Sequence, residues 1–302
     1  MTDRVNNIIK NWNIEENEIS KLHNTVWQVG ESHVLKVYED VNMIERNIKI
    51  MTILADKNIP AGIIINTKDR YTYAKDDKYC YLLSEKVKGN NITSIKDNVK
   101  LAREMGKIIA RLHVAFKECE KQDEFWENSL LSELKGWIKE SLDKSGWECI
   151  SKEKFSEVEE KLEEVYENLP TQLIHRDVHL GNFLFNDGEF SGYIDFDLSQ
   201  KNIRIFDLCY FMLGLLSEQD KLETDKEEWF ALLHNVFAGY QETVILTEEE
   251  KQAVPYVMMA IELLFVAWFA SQNDVKCAED AMKIFDFIDG NKDNVIRNAG
   301  NI

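Results

Sequence analysis

Strand-like patterning fills the first 85 residues, helical periodicity takes over from about Lys96, and one strong hairpin signal interrupts the helical part between Leu173 and Asp197. These three observations predict an α+β chain: antiparallel strands near the N-terminus, then a mainly helical remainder. With 302 residues, 44% apolar and 11% aromatic, the chain is long enough for two lobes with ample core.

The elements follow in order. Val5, Ile8, Ile9 and Trp12 recur at helical spacing and predict a short amphipathic helix over 4–12. Glu18–Leu22, Thr25–Val29 and His33–Tyr38 read as strands, with Gly30-Glu31-Ser32 turning the second into the third. Lys36 lies inside the apolar run Val34-Leu35-Lys36-Val37. A buried, unpaired ammonium is costly, so Lys36 either reaches out from an edge strand or meets an anion. A helix is predicted over Asn42–Lys57. On its wheel Asn47 falls among Met43, Ile44, Ile50, Met51 and Leu54, whereas Glu45 falls with Lys49, Thr52 and Asp56 on the polar side. Gly62–Ile65, Arg70–Ala74 and Tyr79–Glu85 read as three more strands.

Helices are then predicted over Val99–Phe116, Glu124–Trp137, Glu153–Asn168, Lys226–Gln241, Glu248–Ala270 and Ala278–Ile288. Glu262 stands alone in the apolar run YVMMAIELLFVAWFA, so it is either paired or turned to a cavity. The polar tail from Asn291 is expected to fray.

The stretch from Leu173 to Asp197, LIHRDVHLGNFLFNDGEFSGYIDFD, carries the chemistry. Asp187-Gly188 between Phe183–Phe185 and Phe190–Ile194 is a hairpin turn signal. A hairpin brings the loop before its first strand to the same edge as the residues after its second. Asp177, Asn182 and Asp195 can therefore converge, though they are far apart in sequence. Phosphoryl transfer needs such a set: one carboxylate to accept a hydroxyl proton, and an amide oxygen with a second carboxylate to hold Mg²⁺ against phosphates.

Asn182 follows Asp177 by five residues, and Asp195 follows Asn182 by thirteen. His175, Asp177, Asn182 and Asp195 match the pattern H-x-D-x-x-x-x-N followed by a strand ending I-D-F. In residue types, both spacings and the intervening hairpin, the segment resembles the aminoglycoside phosphotransferase and choline kinase family. The resemblance runs from about Leu22 to Ala270, with its specific motifs at Lys36 and at Ile174–Asp207.

It implies a bilobal, protein-kinase-like α+β fold, with a nucleotide-binding lobe over 1–86, a helical catalytic and substrate lobe over 87–302, and ATP or GTP in the cleft. It implies Asp177 as the catalytic base with His175 bracing its loop, and Asn182 and Asp195 as Mg²⁺ ligands. Lys36 would contact the α- and β-phosphates. Asn47 stands where the family's helix carries the glutamate that holds this lysine; Glu45 is the alternative support. Adenine would meet the backbone of Glu85 and Val87, with Leu83 lining the pocket and Gly89 opening the hinge. Trp126, Glu127 and Trp137 are candidate walls of the acceptor site. Asp207 matches the family's D-L helix start and is expected to cap that helix and steady the loop, with Arg176 bonding locally to Asp207. His179 and Asp197 stay open, the latter between a second Mg²⁺ and a structural hydrogen bond. Only twelve residues separate Asp195 from Asp207 and no A-P-E follows, which leaves no room for a protein-kinase activation segment.

Net charge of −18 makes nucleic acid a poor partner and would draw a cationic hydroxyl acceptor, such as an amino sugar or quaternary amine. No membrane span is expected, because the longest apolar run, Val257–Ala270, is short and broken by Glu262. The opening MTDRVNNIIKNW lacks a signal-peptide core, and five cysteines without CxxC spacing fit a reduced, cytoplasmic protein. No residue pattern speaks to oligomeric state. Three functions remain: an antibiotic or amino-sugar kinase, a metabolic kinase for choline, homoserine or a similar alcohol, and a nucleotide-binding protein with little catalysis. Asn47 motivates the third; intact Asp177, Asn182 and Asp195 oppose it.

Overall fold

A computed structural model describes residues 1–15, 18–122, 124–217 and 226–300. Packing gathers Met1–Ile92 and Gly181–Leu198 into one unit and most of the remaining chain into a second.

The first unit opens with helix α1 (Thr2–Ile8) and a 3₁₀ turn (Ile9–Asn11). Strands β1 (Ile19–Lys21), β2 (Val26–Val29) and β3 (His33–Tyr38) follow, then α2 (Val41–Asp56), β4 (Ala74–Lys75), β5 (Cys80–Glu85) and the short β6 (Asn90–Asn91). The sheet is antiparallel in the order β1-β2-β3-β5-β4. Alternation along β3 divides its side chains between two faces. Leu35 and Val37 pack with Val5, Trp12, Trp27, Tyr81 and Leu83 on one face. Tyr38 meets Ile44 of α2 and Leu82 on the other, and Lys36 shares that side by its register.

Two expected strands are reduced. Gly62–Ile65 forms only a bridge, Ile64 to Ser84, because β5 divides that edge between this segment and β4. The run Arg70–Ala74 is broken by Arg70 itself, in a left-handed conformation at φ 66°, so β4 starts at Ala74.

The second unit begins with α3 (Val99–Glu120), α4 (Leu130–Glu133), a π-helical turn (Leu134–Ile138), α5 (Lys139–Lys144), α6 (Lys152–Tyr166) and β7 (Thr171–Ile174). The helix expected from Glu124 starts only at Leu130. Ser129 caps it by accepting the Ser132 N–H, and the preceding residues are drawn into extended pairing with Lys201 through Trp126 O and Asn128 N.

After a 3₁₀ turn (Leu180–Asn182) comes the expected hairpin, β8 (Phe183–Asn186) and β9 (Glu189–Tyr193). Asp187 and Gly188 both have positive φ, 52° and 83°, the signature of the tight turn that Asp-Gly favours. The hairpin belongs with the first unit for a concrete reason: β8 pairs with β6, and the Tyr193 N–H donates to Pro60 O. Gly89 makes that pairing possible, since its φ is 110° and a Cβ there would lie 2.4 Å from Phe185 O.

Strand β10 (Gln200–Ile203) pairs with β7, and α7 (Ile205–Ser217), α8 (Lys226–Gln241), α9 (Glu248–Ser271), α10 (Val275–Asp289) and α11 (Lys292–Gly300) complete the second unit. The tail expected to fray is therefore helical through Gly300, held by buried Val295 and Ala299; Asn301 and Ile302 lie outside the described residues. Helix α9 is long and apolar enough to cross a membrane by length and composition, but 67% of its apolar window is buried inside the fold, as in a core helix. Thr247 and Glu250 form a capping box at its start, and Arg204 forks onto the buried Glu250 carboxylate at 2.7 Å.

Helices α3 and α8 approach so closely that no side chain fits between them. A Cβ on Gly239 would lie 1.9 Å from Arg103 O, and one on Gly106 2.0 Å from Val236 O. Alanine is the better helix former by about 1 kcal/mol, but here overpacking outweighs propensity. Gly239→Ala should destabilise the protein by roughly 1–3 kcal/mol. Urea unfolding that shows equal or greater stability would contradict this close approach.

Candidate active site

In the second unit, the loop after β7 carries His175, Arg176 and Asp177. Its backbone is fixed from below by one carboxylate. Asp207, fully buried, accepts the N–H of His175 at 2.8 Å and that of Arg176 at 2.8 Å. It also bonds His113 Nε2 at 2.9 Å, whose Nδ1 meets the Tyr240 hydroxyl at 2.8 Å. Asp207 lies within the first turn of α7 and not at its cap, so it steadies the loop as expected but does so without capping the helix. His175 is buried in that loop, in keeping with a brace.

Arg176 touches Asp207 through its backbone only. Its guanidinium reaches Glu133 at 2.6 and 2.8 Å and Gln200 at 3.2 Å. Its φ of 68° is unusual for a residue with a Cβ, and this forked ion pair, with the two backbone bonds, holds it there.

Asp177 accepts the Tyr210 hydroxyl at 2.9 Å and has His179 Nε2 at 3.6 Å. Burial by itself would raise its carboxyl. The His179 contact and charge, the Tyr210 hydrogen bond and the His175 charge together outweigh burial and hold it at about 2. Asp177 is thus kept as an anion ready to accept a hydrogen bond. The Tyr210 phenol is pushed well up, by burial first and then by Asp177, and remains the donor. Glu262 of α9 is 3% exposed, and burial raises its carboxyl well above the usual range. It is near enough to Tyr210 to act electrostatically on that phenol.

In the first unit, β3, α2 and the hairpin bring the nucleotide-side candidates together. Lys36 Nζ lies 2.6 Å from Asp195 Oδ1 and 2.7 Å from Asp197 Oδ2. The lysine's anion is thus two carboxylates beyond β9. Asn47 is buried at 3% exposure, with its amide donating to Met43 O at 3.1 Å. Glu45 faces outward, beside Tyr73. Asp197 is raised: burial dominates, Lys36 pulls against it, Asp195 adds to it, and neighbouring Asn47 favours the charged form.

Asn182 is buried at the hairpin's start, and its backbone O accepts the Ile194 N–H at 3.1 Å, which sets it beside Asp195. Asp195 is 44% exposed at the side chain and has φ of 66°. An amide oxygen and a carboxylate are hard donors suited to Mg²⁺. No cluster of three His, Cys, Asp or Glu side chains occurs among the described residues.

At the expected hinge, the Glu85 N–H donates to Ile63 O, and Val87 packs where a Cβ on Gly192 would meet it. Leu83 lies in the core behind the sheet. Among the acceptor-wall candidates, Trp126 and Trp137 are exposed, Glu127 bridges to Lys201, and Trp137 Nε1 reaches Glu133 Oε1 at 3.4 Å.

Four contacts escaped sequence reasoning: Tyr210 on Asp177, Glu133 on Arg176, His113 on Asp207 and Asp197 on Lys36. Two left a trace. His113 is a histidine on the buried face of an amphipathic helix, and Tyr210 lies one helical turn after Asp207. Glu133 left none, because it comes from a distant helix.

The family model described as "Phosphotransferase enzyme family" matches residues 16–247. A homoserine kinase of Gluconobacter oxydans (strain 621H) is 28% identical over 181 residues, 58% of this chain and 54% of that protein. The match thus spans about half the length of that relative. Among solved structures, an amicoumacin kinase in complex with AMP-PNP and Ca²⁺ superposes with a TM-score of 0.73 at 17% identity, over 97% of this chain and 93% of that one. A microcompartment-associated aminopropanol kinase gives 0.71 at 16% identity, over 99% and 100%. A GDP complex of an aminoglycoside 2′-phosphotransferase gives 0.70 at 14%, over 98% and 99%. The fold is the kinase-like α+β class expected from the sequence.

The lowered Asp177 carboxyl has a consequence for stability. A group whose folded value lies below its ordinary value near 3.9 stabilises fully above that value, and loses the contribution as pH falls toward about 2. The stability difference between wild type and Asp177→Asn should be constant above about pH 5 and should shift against the wild type below about pH 4. Urea titrations at stepped pH measure it; a difference that stays flat through that range would show that Asp177 is not held low.

Proposed function

The chain belongs to the phosphotransferase enzyme family, and from that premise we propose that it is a cytoplasmic small-molecule kinase moving the γ-phosphoryl group of ATP or GTP to an alcohol. The observation that carries this reading is Asp177, a largely buried carboxylate held ionised and aimed by Tyr210 and His179.

In this reading the first unit takes the nucleotide. Lys36 meets its phosphates, the backbone near Glu85 and Val87 meets its base, and Asn182 with Asp195 would hold Mg²⁺. Bound there, the ion would neutralise charge on the phosphates during transfer. The second unit presents the base. Asp177 accepts a hydrogen bond from the acceptor hydroxyl and takes its proton as the new P–O bond forms, while the bond from the γ-phosphorus to the bridging β-oxygen breaks and ADP or GDP leaves. His175 and Asp207 keep that loop from moving. Positioning supplies most of the rate in such reactions. Asp177→Ala should lower kcat by roughly 10²–10⁴-fold, measured with a nucleotide-consumption assay. Near-normal turnover in that variant would remove Asp177 from the mechanism.

The acceptor we propose is a small amino alcohol whose ammonium pairs with Glu262. Among the described residues Glu262 makes no hydrogen bond or ion pair; it lies near Tyr210 and sits in a chain of net charge −18. Names of similar proteins agree in kind: homoserine and aminopropanol each carry a hydroxyl and an amine. Glu262→Gln should raise the KM for such acceptors about tenfold or more, with kcat nearly kept, since a charged hydrogen bond contributes about 1.5–3 kcal/mol. A panel of aminopropanol, homoserine, choline, amino sugars and uncharged polyols tests this; equal use of the uncharged alcohols would discard the amine requirement.

A further inference from the structure

We propose that Asp197 is the anionic anchor of Lys36, and that Asn47 is the neutral neighbour this anchor requires. Asp197 is thus a positioning residue for the lysine that meets the phosphates. The proposal rests on the kinase reading only for the role of that lysine.

Three observations carry it. Lys36 is held between two carboxylates, at 2.6 Å from Asp195 and 2.7 Å from Asp197. The two are not equivalent. Asp195 is half-exposed, at 44%, and stands beside Asn182, so it is the one that would meet a cation accompanying phosphates. Asp197 is more enclosed, at 24%, and lies near Tyr38 and Asn47, on the side of the sheet covered by α2. With Asp195 engaged by a divalent cation, Asp197 would still hold the ammonium.

The third observation is the charge count around the lysine. One ammonium already faces two carboxylates. A glutamate at position 47, buried on α2, would bring a third negative charge toward the same enclosed place with no further cation to meet it. An amide avoids this. Asn47 keeps one N–H on Met43 O and meets Asp197 by a side-chain hydrogen bond that adds no charge. The asparagine and the second aspartate are therefore two halves of one arrangement. The lysine is held from the hairpin end of the site, and the helix contributes polarity without charge. Lys36 also lies 5.6 Å from the Tyr38 ring centroid, which further confines the ammonium.

The test is a partner exchange on the full chain. Asp197→Asn, Asn47→Glu and the double variant are compared with wild type by two readouts. One is the rate at which an amine-reactive ester labels Lys36 without nucleotide, followed by peptide mass spectrometry. The other is ATP affinity in the presence of Mg²⁺, by calorimetry. Asp197→Asn should label faster at Lys36 and bind ATP roughly tenfold more weakly. Asn47→Glu alone should also weaken ATP binding. The double variant should recover to within about threefold of wild type, because the charge is returned from the helix. Unchanged Lys36 labelling in Asp197→Asn, with only a raised Mg²⁺ requirement, would make Asp197 a metal ligand and overturn the proposal. Tighter ATP binding in Asn47→Glu alone would overturn it as well, and that variant keeps Asp197 should Asp197→Asn fail to fold. Wild type that binds no nucleotide would refute the kinase reading, while the labelling comparison would still decide the anchor.

Discussion

The carboxylate of Asp207 is fully buried in the second unit, yet it accepts backbone N–H groups from two consecutive residues, His175 and Arg176, and meets the imidazole of His113. A carboxylate taken out of water is stable only where its lone pairs are filled, so this group dictates the path of the loop above it. The loop cannot shift without orphaning the charge. His113 is itself fixed by Tyr240 of α8, and α8 is locked against α3 by the two glycines at their crossing. A chain of obligatory contacts thus runs from a helix crossing to the backbone of the residue before Asp177.

Asp177 inherits that rigidity and adds its own. Its lowered carboxyl results from opposing effects, burial pushing up and three polar neighbours pulling down, with the neighbours winning. The result is a carboxylate that is enclosed and still charged, the state that the proposed base needs. The loop is also held sideways: the Arg176 guanidinium forks onto Glu133, at the start of a π-helical turn, which joins the loop to the helices around Trp137. In the first unit the problem is reversed. There a single lysine of an acidic protein is kept in place by two carboxylates.

Much of this was legible beforehand. The bounds of β3 and α8 follow from their patterns, and the Asp187-Gly188 turn takes the left-handed conformations its residues favour. Asn47 facing inward and Glu45 outward follow from the helical wheel alone. The misses share a cause: each depends on a neighbour that local pattern does not contain. Arg70 breaks a strand through its own φ, and residues 126–128 pair with β10 instead of coiling. The polar tail stays helical because Val295 and Ala299 find a surface to bury against.

The sequence by itself determined the α+β class and the hairpin, and it singled out Lys36, Asp177, Asn182 and Asp195 as candidates, because these are set by short-range periodicity, turn chemistry and fixed spacing. Tertiary structure alone decided who meets whom: Tyr210 with Asp177, Glu133 with Arg176, His113 with Asp207, and Asp197 with Lys36. The reason is physical. A side chain's type and local face are written within one or two turns of chain, but the partner that satisfies its charge comes from whichever distant element the packing brings within about 3 Å.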